Sequence, residues 1–113
     1  MITKAQFDSL PADQQAIAKN YVGQKWDVAK LEEMMQLPIK KAKYLGLQLY
    51  CGEYGVIENA PKADALRWYN DMISVFNKYH IASANWNYKS DQFGIIRGNG
   101  ELRKELIQEI IRK

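Results

Sequence analysis

The stretch LYCGEYGVIENAP, Leu49 to Pro61, closes an apolar run with a glutamate set between Gly52 and Gly55, with Tyr50 and Tyr54 on either side. An ordinary strand end turns on Asn, Asp or Gly and carries no acid on its inward face. A carboxylate so placed can act as a general acid, a general base or a nucleophile. A second stretch, ASANWNYKSDQFGII, Ala82 to Ile96, ends another strand-like run in Trp86 and continues through Tyr88, Lys89 and Asp91. What Glu53 can do depends on which way it points and on what stands beside it.

Side chains alternate along a strand, so Leu49, Cys51 and Glu53 are expected on one face, with Tyr50 and Gly52 on the other. Ala82, Ala84 and Trp86 form the corresponding set on the next strand. Each set ends, at the carboxyl end of its strand, in Glu53 or Trp86. In a (β/α)-barrel that rim carries the chemistry, while the opposite rim serves stability. Gly52 and Gly55 allow tight backbone geometry around the acid. Taken singly, Glu53 reads equally as a solvent-facing acid and Trp86 as a core aromatic; the pairing at matching ends favours a site.

The other residues of chemical interest read differently. His80 precedes the second strand and belongs to the amino-terminal rim, with Glu53 and Trp86 expected together on the other. Cys51 is expected to point into the interior beneath Glu53, as a small buried residue and not a nucleophile. Trp26 and Trp68 read as helix packing. Tyr54 and Tyr88 either line a ligand cleft or cover the strand ends. Lys89 and Asp91 either contact a ligand or sit in a solvated loop.

The elements that must position these groups are helix, strand, helix, strand, helix. Ser9 is expected to cap a short helix over Leu10 to Asn20, with Pro11 in its first turn and Gly23-Gln24 ending it. Asp27 caps a longer helix, with Trp26 stapled onto Leu31. Its apolar face runs through Val28, Leu31, Met34, Met35, Ile39, Ala42 and Leu45, Pro38 should kink or split it, and Gly46 closes it as a left-handed cap. Leu47 to Cys51 reads as a strand. After the loop Ile57 to Ala60, Pro61 opens a second amphipathic helix with Leu66, Tyr69, Met72, Ile73 and Phe76 inward. Ile81 to Trp86 is the second strand, Gly98-Asn99-Gly100 a turn, and a last helix is expected from about Glu101. The strand–helix–strand unit predicts parallel strands with a right-handed crossover. Two parallel strands are too little sheet to stand alone, so the pattern is that of a slice of a larger α/β fold.

Composition narrows the classes. The 113 residues suffice for one domain and are 47% apolar, which argues against disorder. The 16 basic and 13 acidic residues are dispersed, and the densest basic run, Lys40, Lys41 and Lys43, reads as a solvated helix face, not a nucleic-acid surface. No segment has the apolar length to cross a membrane, and no apolar targeting segment follows Met1, which as written predicts a cytosolic chain. A single cysteine makes no internal disulfide, and the absence of a Cys/His cluster argues against zinc.

Three stretches in order, LGLQLYCGEYGV, ALRWYNDMISVFNKYHI and ASANWNYKSDQFGII, resemble the last third of a cellulase-type glycoside hydrolase of family five. The resemblance covers the chain from roughly Trp26 onward and implies part of a (β/α)8 TIM barrel, about strands 7 and 8 with their helices, as a single segment 1–113. In that family strand 7 ends in Gly-Glu-Phe-Gly or a variant, its glutamate the nucleophile, and strand 8 ends in a sugar-stacking tryptophan. By that likeness Glu53 is the expected nucleophile and Trp86 the platform, with Tyr54, which replaces the usual phenylalanine, and Lys89 as further substrate contacts.

The resemblance implies a retaining mechanism on a β-linked glucan or mannan, with two carboxyls about 5 Å apart, an ionised nucleophile and no cofactor or metal. The Asn-Glu pair that supplies the family's acid/base residue is missing before Glu53, and a whole barrel needs about 250 residues. The expectation is therefore a portion of a hydrolase that is inactive by itself and that self-associates or pairs with the missing N-terminal barrel part. The competing expectation is a non-catalytic barrel piece serving assembly or sugar binding. Family members are often secreted or periplasmic, so the likeness leaves localisation open.

Overall fold

A computed structural model describes residues 2–112. From Ile2 to Gly23 the chain folds back on itself. Thr3 and Gln6 form a reciprocal capping box that starts α1, Lys4–Asp8, the Gln6 amide donating to Thr3 Oγ1 at 3.2 Å and the Thr3 amide to Gln6 Oε1 at 3.0 Å. Ser9, expected to cap the next helix, instead closes α1, and its hydroxyl donates to the Gln6 carbonyl. α2, Ala12–Ala18, starts directly after Pro11 and passes into a 3₁₀ turn, Lys19–Tyr21. A bridge between Ile2 and Val22 ties the two ends of this segment together.

α3, Val28–Leu45, starts where Asp27 accepts from the Lys30 amide at 3.1 Å and stops where Gly46 takes φ 67°. Pro38 does not split it. The proline is exposed, so the carbonyl it leaves without a helical partner can be hydrated. Only part of the expected apolar face is covered. Leu31 and Ala42 are buried and Met35 and Ile39 pack on the core, whereas Val28, Met34 and Leu45 stay exposed.

The first strand, β1, is Tyr50–Tyr54, later than expected, and the second, β2, is Ala82–Asn85. They pair in parallel, as the strand–helix–strand order predicts, with Tyr50 against Ala82 and Cys51 against Ser83. The register then breaks: the next pair is Tyr54 with Asn85, so Gly52 and Glu53 form a bulge. Between the strands runs α4, Lys62–Tyr79, which buries Ala65, Tyr69, Met72, Ile73, Val75 and Phe76 and leaves Leu66 half-buried. α5, Lys104–Ile110, starts later than expected because residues 97–102 form a turn instead, the Arg97 amide donating to the Glu101 carbonyl and Leu102 bridging to Ile96. Its Leu106 completes the core with Leu31, Tyr54, Tyr69, Phe76 and Ile81.

This core is one-sided. Leu37 and Tyr44 on α3 are 80% and 83% exposed, and Tyr50, on the sheet face away from α4, is 66% exposed. The radius of gyration is 16.1 Å, with extents of 47 × 39 × 20 Å. A compact domain of this length has a radius of about 13 Å. The chain is a slab, one face packed and the other open, as befits part of a barrel wall. Among the described residues no helix is long and apolar enough to cross a membrane, and no group of acidic, His or Cys side chains is placed to hold a metal ion.

A polar clamp joins α3 to α4. Glu32 accepts from Lys78 Nζ at 2.7 Å and from the Tyr79 hydroxyl, to which Gln36 Nε2 also donates at 3.2 Å. Lys78 first, then Tyr79, holds the Glu32 carboxyl below its ordinary value of 4.5. A depressed carboxyl favours the folded chain above its unfolded value and loses that contribution as pH falls through the folded one. Thermal melts at stepwise lower pH should therefore show stability declining below pH 4.5, with a shallower decline in Glu32→Gln. An equal decline in both chains would remove the clamp from the acid response.

Candidate functional site

The bulge decides the orientation that simple alternation leaves wrong. Cys51 packs against the core cluster under α4, and its Sγ–H donates to the Glu53 carbonyl at 3.4 Å. With one extra residue between the paired positions, Tyr54 turns to the same packed side and Glu53 is left exposed. Cys51 thus packs on the core and lines one groove with Glu53. Tyr54, expected among the substrate contacts, is 8% exposed and packs edge-on against Tyr69 and Phe76, with ring centroids 5.8 and 5.1 Å away. It belongs to the core and from there also lines the groove with Glu53, and burial raises its hydroxyl pKa.

The strands run close together at the site. The Trp86 amide donates to the Tyr54 carbonyl at 2.8 Å, immediately beyond β2. Gly55 is there because of this approach, since a Cβ on it would stand 2.4 Å from the Trp86 carbonyl oxygen. A Cβ on Gly52 would meet nothing closer than 3.7 Å, so Gly52 carries no comparable constraint. Above Gly55, the Tyr69 hydroxyl accepts from the Val56 amide at 3.2 Å and pins the outgoing chain to α4.

Glu53 and Trp86 line one open groove of about 400 Å³, with Trp68, Met72 and Phe93 among its walls. Trp86 is 48% exposed. Glu53 is the one acidic residue in the lining. Beside Trp86, both amide atoms of Asn85 and Oδ1 of Asn87 are buried without a hydrogen-bond partner in the protein. Such groups are costly unless water, a ligand or further chain satisfies them. An exposed carboxylate and the indole plane beside it can together hold a polyhydroxylated ring and act on it.

The remaining candidates stand apart. His80 caps α4 in the left-handed region, φ 53°, at the opposite end of β2 from Trp86. Tyr88 and Lys89 are exposed and do not line the groove. Asp91 is structural, accepting from the Gly98 amide at 2.7 Å. Sequence reasoning missed Phe93 as a wall and took Trp68 for packing alone. Trp68 does pack on Tyr69, at 5.3 Å, but four residues before Met72 it also reaches the groove with that side chain.

No family model matches the chain. It is 42% identical over 64 residues to endoglucanase C of Acetivibrio thermocellus, covering 57% of this chain and 18% of that enzyme. To cellodextrinase A of Ruminococcus flavefaciens it is 41% identical over 54 residues, covering 48% and 16% respectively. The chain thus spans less than a fifth of the curated relatives it matches. Among solved structures, Cel5A of Thermotoga maritima in complex with mannotriose superposes with a TM-score of 0.69 at 19% identity, over 96% of this chain and 37% of that one. The cellulose synthase subunit Z of Clostridioides difficile gives 0.69 at 20% identity, over 80% and 30%. The fold is that of part of a TIM barrel, and in sequence and architecture the chain resembles the C-terminal third of a cellulase-type glycoside hydrolase of family five.

Proposed function

We propose that this chain is the part of a retaining glycoside hydrolase that carries the nucleophile, and that it acts on a β-linked glucan or mannan when the barrel is complete. The observation that carries the reading is the convergence of Glu53 and Trp86 on one groove at the carboxyl ends of neighbouring parallel strands. In the retaining reaction a carboxylic acid protonates the leaving oxygen while a carboxylate about 5 Å away attacks the anomeric carbon. Glu53 takes the second role, forming a glycosyl ester that water then cleaves. Trp86 holds the apolar face of the sugar ring, and Lys89, on the loop that follows, is a peripheral contact to the same substrate.

The acid/base carboxyl must come from elsewhere, since Glu53 has no acidic companion in the groove. Outside the groove the chain also lacks cover: Leu37, Tyr44, Leu47 and Tyr50 are exposed, and among the described residues the two strands leave free edges. The partner that fits is the remaining barrel wall, carried on the same polypeptide or another. A sugar-binding or assembly module without catalysis is the alternative, which the exposed indole also serves.

Three measurements test this. The chain by itself should not cleave cello- or manno-oligosaccharides, and light scattering on a sizing column should find it self-associated. The longest reading frame containing it should be active. A monodisperse monomer that cleaves either substrate would overturn the need for a partner, and an inactive complete barrel that still binds oligosaccharide would favour the module.

A further inference from the structure

We infer that Glu58 is a positioning residue for the Trp86 wall of the groove. It stands outside the groove, in the turn between β1 and α4, and its carboxylate joins two arginines from the far side of the Trp86 loop. Glu58 Oε1 accepts from Arg97 Nε at 3.2 Å and Nη2 at 2.6 Å, and Oε2 pairs with Arg103 Nε at 3.0 Å. Its own amide donates to the Gln92 carbonyl at 2.6 Å. Arg103 passes the connection on, its Nη1 donating to the Gly94 carbonyl at 3.3 Å and its amide to Ile95 at 3.0 Å. The Ile95 amide donates to the Asn87 carbonyl at 3.0 Å and the Asn87 amide to Phe93 at 3.3 Å, one residue from Trp86.

The loop also has backbone ties of its own, the Trp86 amide donating to the Tyr54 carbonyl at 2.8 Å, the Ser90 amide to Ile96 at 3.1 Å and the Ile96 amide to Tyr88 at 3.0 Å. Phe93 is only half-buried and Tyr88 and Lys89 face solvent, so the side-chain ties inside the loop are the Ser90 hydroxyl, accepting from the Phe93 and Gly94 amides at 3.0 Å each, Asp91, accepting from the Gly98 amide, and Ile95 on the core. Beside the Trp86–Tyr54 backbone bond, Glu58 supplies the ion-paired side-chain cross-link from the turn after β1 to the loop that carries Trp86 and Phe93. Arg103 is 14% exposed, so the pair is shielded and its geometry is held more firmly than that of a surface ion pair. A carboxylate receiving two guanidinium groups fixes direction as well as distance, which an amide or a shorter acid does not reproduce. The functional meaning of the inference rests on the proposed role of Trp86, whereas the placement itself does not.

The test uses the chain labelled with 5-fluorotryptophan. Its three tryptophans give three fluorine resonances, with that of Trp86 identified by its loss in Trp86→Phe. In Glu58→Ala the Trp86 resonance should shift and broaden while that of Trp26 stays in place. If Glu58→Ala does not fold, Glu58→Gln, which keeps the shape and one acceptor, should displace the Trp86 resonance in the same selective way. An unmoved Trp86 resonance, or equal movement of Trp26 and Trp86, would overturn the assignment. Titration of the labelled wild-type chain with cellotriose reads the other question separately. A Trp86 signal indifferent to sugar would count against the platform role and leave the effect of Glu58 on the loop as measured.

Discussion

Glu53→Gln in the complete barrel should leave oligosaccharide binding intact and lower kcat by a factor on the order of 10³ or more. The amide keeps the size and planarity of the carboxylate but cannot attack the anomeric carbon. No second carboxylate of this chain lines the groove to take over. Because Glu53 is exposed and its side chain is not part of the core, the substitution should not unfold the protein. The check is a kcat and KM measurement on cello- and manno-oligosaccharides, with binding followed by calorimetry. Retention of more than about a tenth of wild-type kcat, a loss of only some 1.4 kcal/mol of transition-state stabilisation, would assign the nucleophile to another residue. Loss of binding together with turnover would instead place Glu53 in substrate recognition.

The largest structural effect should come from Phe76→Ala. Phe76 is buried on α4 and meets the Tyr54 ring edge-on at 5.1 Å, so it holds the strand that presents Glu53 against its helix. Truncating a buried phenylalanine costs about 3–5 kcal/mol, a large share of the 5–15 kcal/mol that stabilises an ordinary domain. The core here is one-sided, with fewer neighbours able to close around the gap. The variant should lose the near-ultraviolet circular dichroism of its packed aromatics and melt without a cooperative transition. Leu37→Ala, on the uncovered face of α3, serves as the control and should change the unfolding free energy from urea melts by no more than about 0.5 kcal/mol. A Phe76→Ala chain that melts at the wild-type midpoint would show that the contact with Tyr54 does not anchor the strand.

The parts of this protein legible in its sequence are those governed by near neighbours. Asp27 and Gly46 mark the ends of α3 because a capping carboxylate and a left-handed glycine act within one turn. The apolar spacing from Leu66 to Phe76 reports α4, and a strand–helix–strand order requires parallel strands. The same local reading puts Glu53 and Trp86 at one rim and His80 at the other. It fails where a distant part of the chain decides. The bulge at Gly52 and Glu53 is a property of pairing with β2, and it turns Tyr54 into the core on the side of Leu49 and Cys51, against the alternation of an unbroken strand. Only part of the periodic face of α3 is covered, because periodicity states what can be buried and not whether a neighbour is there to bury it. Glu58 meets Arg97 across 39 residues and Phe93 joins Trp68 at the groove only after the loop has folded back. No spacing rule reaches such contacts, since charge and aromatic type show that a side chain wants a partner while the packed fold chooses which one.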